Sequence, residues 1–226
     1  MNFDDYASDY DSALEKGIAV SGENKEYFST GRIAWLRQCL QQSGEHPTRI
    51  MDFGCGTGSA SQDLLQFASR GFVVGVDVSD KSLSIARNNN TDPERAHFVL
   101  RDEFVPNGDI DLAFCSGVFH HIPLSERAKA VRYVYKSLRS GGVFAVWENN
   151  PWNPGARYVM RRIPFDRNAV PIKAPATRRL LRKEGFQILR TDFLFIFPSM
   201  LRHLRFLEPR LSRFPLGAQY QVLCRK

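Results

Sequence analysis

An apolar run, Arg49-Ile50-Met51-Asp52-Phe53, leads directly into Gly54-Cys55-Gly56-Thr57-Gly58 and then into a stretch with helical spacing. Few arrangements accommodate that order. Glycine lets the backbone turn sharply and come close to a ligand, because no Cβ intervenes. The helix behind such a turn presents free N–H groups to a polar ligand. The next apolar run ends in Asp77, 19 residues beyond Gly58. In doubly wound sheets a carboxylate there can accept the hydroxyls of a ribose.

Periodicity extends this unit along the chain. Strands are expected at Arg49–Phe53, Phe72–Asp77, His97–Leu100, Ile110–Ser116 and Val143–Glu148, and helices at Ser59–Arg70, Lys81–Asn90 and Ser125–Arg139. Alternating strands and helices imply parallel β-α-β units with right-handed crossovers and helices on both faces. The fold class is therefore α/β, a Rossmann-like, doubly wound, mostly parallel sheet of seven strands. At 226 residues the chain suits one domain. Residues 1–48 form an N-terminal cap that includes an amphipathic helix over Lys25–Gln42, and 49–149 form the ligand-binding core. Residues 150–217 are an elaboration on the substrate side and 218–226 a last strand. Within the elaboration, prolines from Pro151 to Pro175 argue against regular structure. A helix is expected at Thr177–Glu184 and strands near Phe186–Phe197 and Gln219–Leu223.

Charge divides along the same lines. Residues 31–150 hold 13 basic and 13 acidic side chains, whereas 151–226 hold 16 basic and 4 acidic, so the net +7 of the chain comes from its last third. That distribution weakens a general nucleic-acid reading, which calls for basic residues spread over a binding face. Cys39, Cys55, Cys115 and Cys224 are widely spaced without a C-x-x-C pair, so neither a disulfide framework nor a metal site is expected. The acidic N-terminus carries no signal-like pattern, which points to a reduced, cytoplasmic setting.

The glycine pattern departs from a dinucleotide fingerprint, G-x-G-x-x-G, because its third glycine comes one residue early and Asp52 stands two residues before the first. A carboxylate that close would repel a pyrophosphate but suits a ligand bearing an ammonium group. S-adenosylmethionine combines a ribose, a charged amino-acid end and no phosphate. With Asp52–Gly58, Gly75-Val76-Asp77-Val78-Ser79, Leu100-Arg101-Asp102, the run Asp111–Ile122 and Leu138-Arg139-Ser140-Gly141-Gly142 in this order, the chain resembles the class I S-adenosylmethionine-dependent methyltransferases. The resemblance implies that S-adenosylmethionine binds, leaving as S-adenosylhomocysteine. Asp52, Phe53, Gly54, Cys55, Gly56 and Gly58 would cradle it, with Asp77 and Val78 at the ribose and Asp102 and Glu103 at the adenine. Ser116 would line the cofactor, and Tyr27 and Arg32 would reach its methionine end.

Methyl transfer is an in-line displacement that depends on positioning, and many acceptors must also lose a proton. His120 and His121 follow the fourth strand and Glu148 ends the fifth, at the sheet edge where such folds bind ligands. In similar small-molecule methyltransferases a His-His pair and an acid act together, so His120 is expected as general base and Glu148 as its partner. Packing in the cofactor pocket is the competing role for both. His121, Asn149, Asn150 and Tyr158 are candidate acceptor contacts. Beyond Pro198, Met200, Leu201, Leu204, Leu207 and Leu211 fall on one helical face with arginines elsewhere. Such a helix either packs over the sheet with snorkelling arginines or lies on an anionic membrane. The acceptor is thus a small molecule, free or linked to a lipid or glycan. Alternatives are an RNA or protein methyltransferase recruited by the basic tail, or a catalytically silent cofactor-binding partner.

Overall fold

The computed structural model describes residues 10–68, 71–166 and 169–226. Seven strands form one sheet: β1 (Arg49–Phe53), β2 (Phe72–Asp77), β3 (Ala96–Leu100), β4 (Ile110–Ser116), β5 (Leu138–Asn149), β6 (Gln187–Leu194) and β7 (Gln219–Arg225). Their order is β3-β2-β1-β4-β5-β7-β6. The first five pair in parallel, and β7 runs antiparallel to both β5 and β6. This is the doubly wound, mostly parallel α/β fold that the alternating pattern predicts. The chain winds outward from β1 through β2 to β3, then returns to lay β4 on the other side of β1. Reversal at that point opens a crevice at the carboxyl ends of β1 and β4.

Because successive strand residues face opposite sides, the sheet builds two cores. On one side Ile50, Val73, Leu112, Phe114 and Trp147 meet α2 (Lys25–Gln42), α3 (Ser59–Phe67) and α4 (Asp80–Asn88) through Leu36, Leu40, Leu64 and Leu83. On the other, Met51, Val76, Cys115, Val146 and Val222 meet α5 (Arg127–Ser137) and α7 (Ala174–Lys183) through Val131, Val134 and Leu181. Both faces are covered, so the strands are apolar on both sides. Their continuous hydrophobic runs follow from that.

Three local expectations are corrected. The proline-rich stretch after Asn149 contains a helix, α6 (Pro154–Arg162), capped by the Asn153 side chain, which accepts from Ala156 N at 2.9 Å. Pro154 sits in its first turn, where the missing N–H costs nothing. Strand β6 stops at Leu194 rather than Phe197, because Phe195 adopts a left-handed φ of 60°. The region after Pro198 is not one amphipathic α-helix. Ser199–Leu207 forms 3₁₀ turns broken at Leu201, followed by a single turn, α8 (Glu208–Leu211). Toward the N-terminus, α1 (Tyr10–Ile18) precedes α2, whose first turn is capped by Asn24 accepting from Tyr27 N at 2.9 Å. Arg70, the expected end of the α3 helix, and residues 1–9 of the N-terminal cap lie outside the described residues.

One buried charge ties the antiparallel edge to the rest. Asp192 on β6 is fully buried and takes two hydrogen bonds from Arg190, at 2.6 and 3.0 Å, and one from Trp35 Nε1 of α2 at 3.1 Å. Removing one member of a buried pair strands the other. Asp192→Ala should lower unfolding stability in urea by about 3 kcal/mol or more, while Trp35→Phe, which removes a single donor, should cost about 1 kcal/mol.

Candidate active site

The carboxyl ends of β1, β4 and β5 open on one cavity of about 890 Å³, roofed by α1, α2, α6 and the segment around Phe195–Pro198. Gly54, Gly56 and Gly58 all take positive φ, of 76°, 53° and 82°. A Cβ on Gly54 would meet Val118, and one on Gly58 would press on Ala86 and Phe98. Contacts as well as φ thus favour glycine at Gly54 and Gly58, and φ alone favours it at Gly56, where a Cβ would meet open space. Asp77 holds it in shape: one carboxylate oxygen accepts from Gly56 N at 2.9 Å and the other from Val78 N and Ser79 N at 2.7 and 2.9 Å.

Asp52 is buried beside the turn and accepts from Ser61 Oγ at 2.6 Å. Burial pushes its carboxyl up to about 7, with the nearby Asp77 adding to the effect and the Ser61 bond and Arg32 opposing it. Cys55, in the same turn, is also raised well above the usual thiol range by burial, which makes it a poor nucleophile.

Opposite the glycine turn lies a chain of four titratable side chains. Glu148 accepts from Phe119 N at 2.7 Å through one oxygen and pairs with His120 Nδ1 at 2.6 Å through the other. His120 Nε2 lies 3.3 Å from Asp166 Oδ1, and His121 Nε2 lies 3.2 Å from the same oxygen. The strap that carries Asp166 is fixed to the histidines by Val170 N donating to His120 O at 2.9 Å. Burial alone would lower the His120 pKa. The Glu148 and Asp166 carboxylates outweigh it and push the imidazole up to about 10. His120 therefore holds its proton at neutral pH, and a free imidazole base with an ordinary pKa is not what these contacts favour. On Asp166 the balance runs the other way: burial would raise its pKa, but the bonds from the two histidines outweigh that and lower it.

Of the residues singled out in the sequence, Tyr27, Arg32, Asp52, Gly54, Cys55 and Gly56 line one part of the cavity. Ser116, His120, His121, Glu148, Asn149 and Tyr158 line the rest. Others are placed differently. Phe53 points into the opposite core against Phe119 and Tyr133. Gly58 packs under α4, while Val78, Asp102 and Glu103 are exposed beyond the cavity lining. Asn150 is buried and structural: its side-chain amide donates to Pro215 O at 3.1 Å and Gly217 O at 2.8 Å. Asp166 and Trp147 went unrecognised in the sequence. Asp166 lies 46 residues from His120 in a stretch that reads as irregular. Trp147 reads as plain core, yet it lines the cavity and its buried Nε1–H has no hydrogen-bond partner among the described residues.

With this geometry in place, the likenesses to known proteins are informative. Residues 50–142 match the sequence model of a family described as a methyltransferase domain. Trans-aconitate 2-methyltransferase of Rhodopseudomonas palustris is 27% identical over 143 residues, covering 62% of this chain and 54% of the relative. Ubiquinone biosynthesis O-methyltransferase of Aromatoleum aromaticum is 27% identical over 145 residues, covering 59% of each. The chain thus spans a little over half the length of these curated relatives. Among solved structures, an S-adenosylmethionine-dependent methyltransferase from Thermotoga maritima superposes with a TM-score of 0.66 at 20% identity, covering 99% of this chain and 98% of that one. Magnesium protoporphyrin IX methyltransferase from Synechocystis, solved with bound S-adenosylhomocysteine, gives 0.62 at 19%, covering 93% and 86%.

The raised Asp52 carboxyl has a measurable consequence. In the unfolded chain this group ionises near its ordinary 3.8, and in the fold only near 7. A raised acid favours the fold while protonated, so its contribution is full below about pH 4 and is lost as pH rises through about 7. Asp52→Asn should remove that decline from the stability–pH curve measured by denaturant unfolding, and an unchanged slope between pH 4 and 7 would refute the assignment.

Proposed function

We propose that this chain is a class I S-adenosylmethionine-dependent methyltransferase and transfers a methyl group from S-adenosylmethionine to a small-molecule acceptor held in the cavity. One observation carries the proposal: the positive-φ glycine turn, with the Asp77 carboxylate behind it, opens on the same cavity as the Glu148–His120–Asp166–His121 cluster. The residues present fit the cofactor. Asp77, at the end of β2, lies behind the glycine turn and outside the cavity lining, with its oxygens accepting from Gly56, Val78 and Ser79 N. It would meet a ribose through the lone pairs that those bonds leave, and the glycine turn leaves room for close backbone approach. Asp52, with Tyr27 and Arg32 across the cavity, would hold the amino-acid end. Bound there, the cofactor supplies an activated methyl group on a positively charged sulfur. The rest of the work falls to the protein, which must hold the acceptor in line and exclude water.

When the acceptor is a hydroxyl, its proton goes to the cluster as a unit rather than to His120 as an isolated base. Four hydrogen-bonded titratable groups share protons, and Glu148 fixes the orientation of the first imidazole. The ubiquinone pathway relative, named as an O-methyltransferase, supports oxygen as the acceptor atom. His120→Ala should cut turnover by about 10²-fold or more and leave S-adenosylmethionine affinity, measured by calorimetry, nearly unchanged. Asp77→Ala should instead weaken that affinity markedly. Equal loss of both properties in His120→Ala would mean that the cluster only shapes the cofactor pocket.

The segment after the cavity wall favours an acceptor carried on a lipid, among the lipid- and glycan-linked forms the basic tail suits. It leaves the wall at Phe197 and Pro198, and none of Ser199–Leu207 is buried. Met200 is 86% exposed and Phe206 71%, with Arg202, His203 and Arg210 exposed among them. Packing over the sheet would have hidden those side chains, whereas an apolar surface set among arginines complements an anionic membrane. No helix among the described residues is long and apolar enough to cross a membrane, so the contact would be peripheral. In this proposal the protein sediments with phosphatidylglycerol vesicles at low salt and not with phosphatidylcholine vesicles. The doubly substituted Met200→Asp, Phe206→Asp protein should stay in the supernatant. Equal sedimentation of both proteins would exclude this face.

A further inference from the structure

We propose that His120, His121 and Asp166 form a seat for one divalent transition-metal cation within the cavity, leaving its remaining coordination positions to oxygen atoms of the acceptor. His120 Nε2, His121 Nε2 and Asp166 Oδ1 are the ligand atoms; the two nitrogens lie 3.3 and 3.2 Å from that oxygen, and the cluster's ligand atoms all lie within 4.8 Å of one another.

The spacing of these atoms is that of long hydrogen bonds and also that of ligands gathered round one cation. Charge-assisted N–H···O⁻ bonds close to about 2.7–2.9 Å, the spacing that His120 Nδ1 keeps with Glu148 at 2.6 Å. Two ligands each about 2.1 Å from one metal instead stand roughly 3.0–3.4 Å apart for bond angles between 90 and 109°. Both contacts to Asp166 fall in the second range, although all three side chains are almost fully buried, with 3%, 9% and 5% of their surface exposed.

Glu148 completes the arrangement. By accepting the Nδ1–H of His120 it fixes the ring so that Nε2 faces Asp166, and a cation bound there would displace the proton that Nε2 shares with Asp166 in the free protein. Two imidazoles and one carboxylate suit the Mn²⁺-to-Zn²⁺ series, and Mg²⁺ or Ca²⁺ would call for oxygen ligands throughout. Three protein ligands leave positions open. On the methyltransferase reading, which this part of the inference rests on, the cation selects acceptors that present two oxygens close together, such as neighbouring hydroxyls or a hydroxyl beside a carbonyl.

Cobalt(II) alone serves as the probe. After dialysis against a chelator, titration of the whole protein with Co²⁺ should give one equivalent by calorimetry and a visible absorption band. Asp166→Asn and His121→Ala should each weaken binding by at least tenfold, and Glu148→Gln by roughly 10–100-fold. Thermal melts identify any variant that fails to fold, and the remaining variants then decide the point. Absence of saturable Co²⁺ uptake by the unmodified protein, or equal affinity in a folded Asp166→Asn, overturns the proposal. S-adenosylmethionine binding is measured on the same samples: its loss with Co²⁺ uptake retained removes the cofactor reading alone, and the converse removes the cation seat alone.

Discussion

Everything at the carboxyl edge of the sheet depends on the chain reversing direction between β1 and β4. Strand β1 has its successor on one side and β4 on the other, so the two βα turns diverge and leave a crevice at the sheet edge. Into that gap β1 delivers the glycine turn, β4 delivers His120 and His121, and β5 delivers Glu148. The close parallel registry of β1, β4 and β5 brings three sequence-distant segments to one level. Asp52 pairs in register with Phe114, and Ser116 with Trp147.

A buried constellation of two imidazoles and two carboxylates needs positive charge among its acidic oxygens, because unpaired carboxylates are expensive to bury. A proton on His120 provides it in the free protein. The proposed methyl transfer and the proposed cation seat both draw on this requirement. The carboxylates that hold His120 charged are the groups that would turn it toward a metal.

The architecture was legible because its signals are repetitive. Seven strands, mostly parallel, follow from apolar runs punctuated by turns, and the glycine turn from three residues that all take positive φ. Legibility declined where structure depends on contacts between distant segments. Nothing local marks Asp166 as the partner of His120, since it lies in a proline-rich strap whose path is set by Val170 bonding back to His120. Asn150, next to a catalytic candidate, looks like a substrate contact until the loop at Pro215–Gly217 is seen to use its amide. The helical face drawn through Met200, Leu204 and Leu211 assumed an α-helical period. The chain instead breaks at Leu201 and continues in tighter turns.

Strand β7 has a temporal consequence. It is the last strand in sequence, yet it occupies an interior slot between β5 and β6. As the chain emerges during synthesis, β1 through β5 can assemble from neighbouring segments, while β6 has no partner until Gln219–Arg225 arrives. For that interval two strand edges, one of them on β5 beside Glu148, stand open to any extended peptide. The final seven-residue strand therefore acts as a closing wedge. Without Gln219–Arg225, β6 and its buried Asp192 would have no strand joining them to β5, and an open β5 edge would stand beside the cavity.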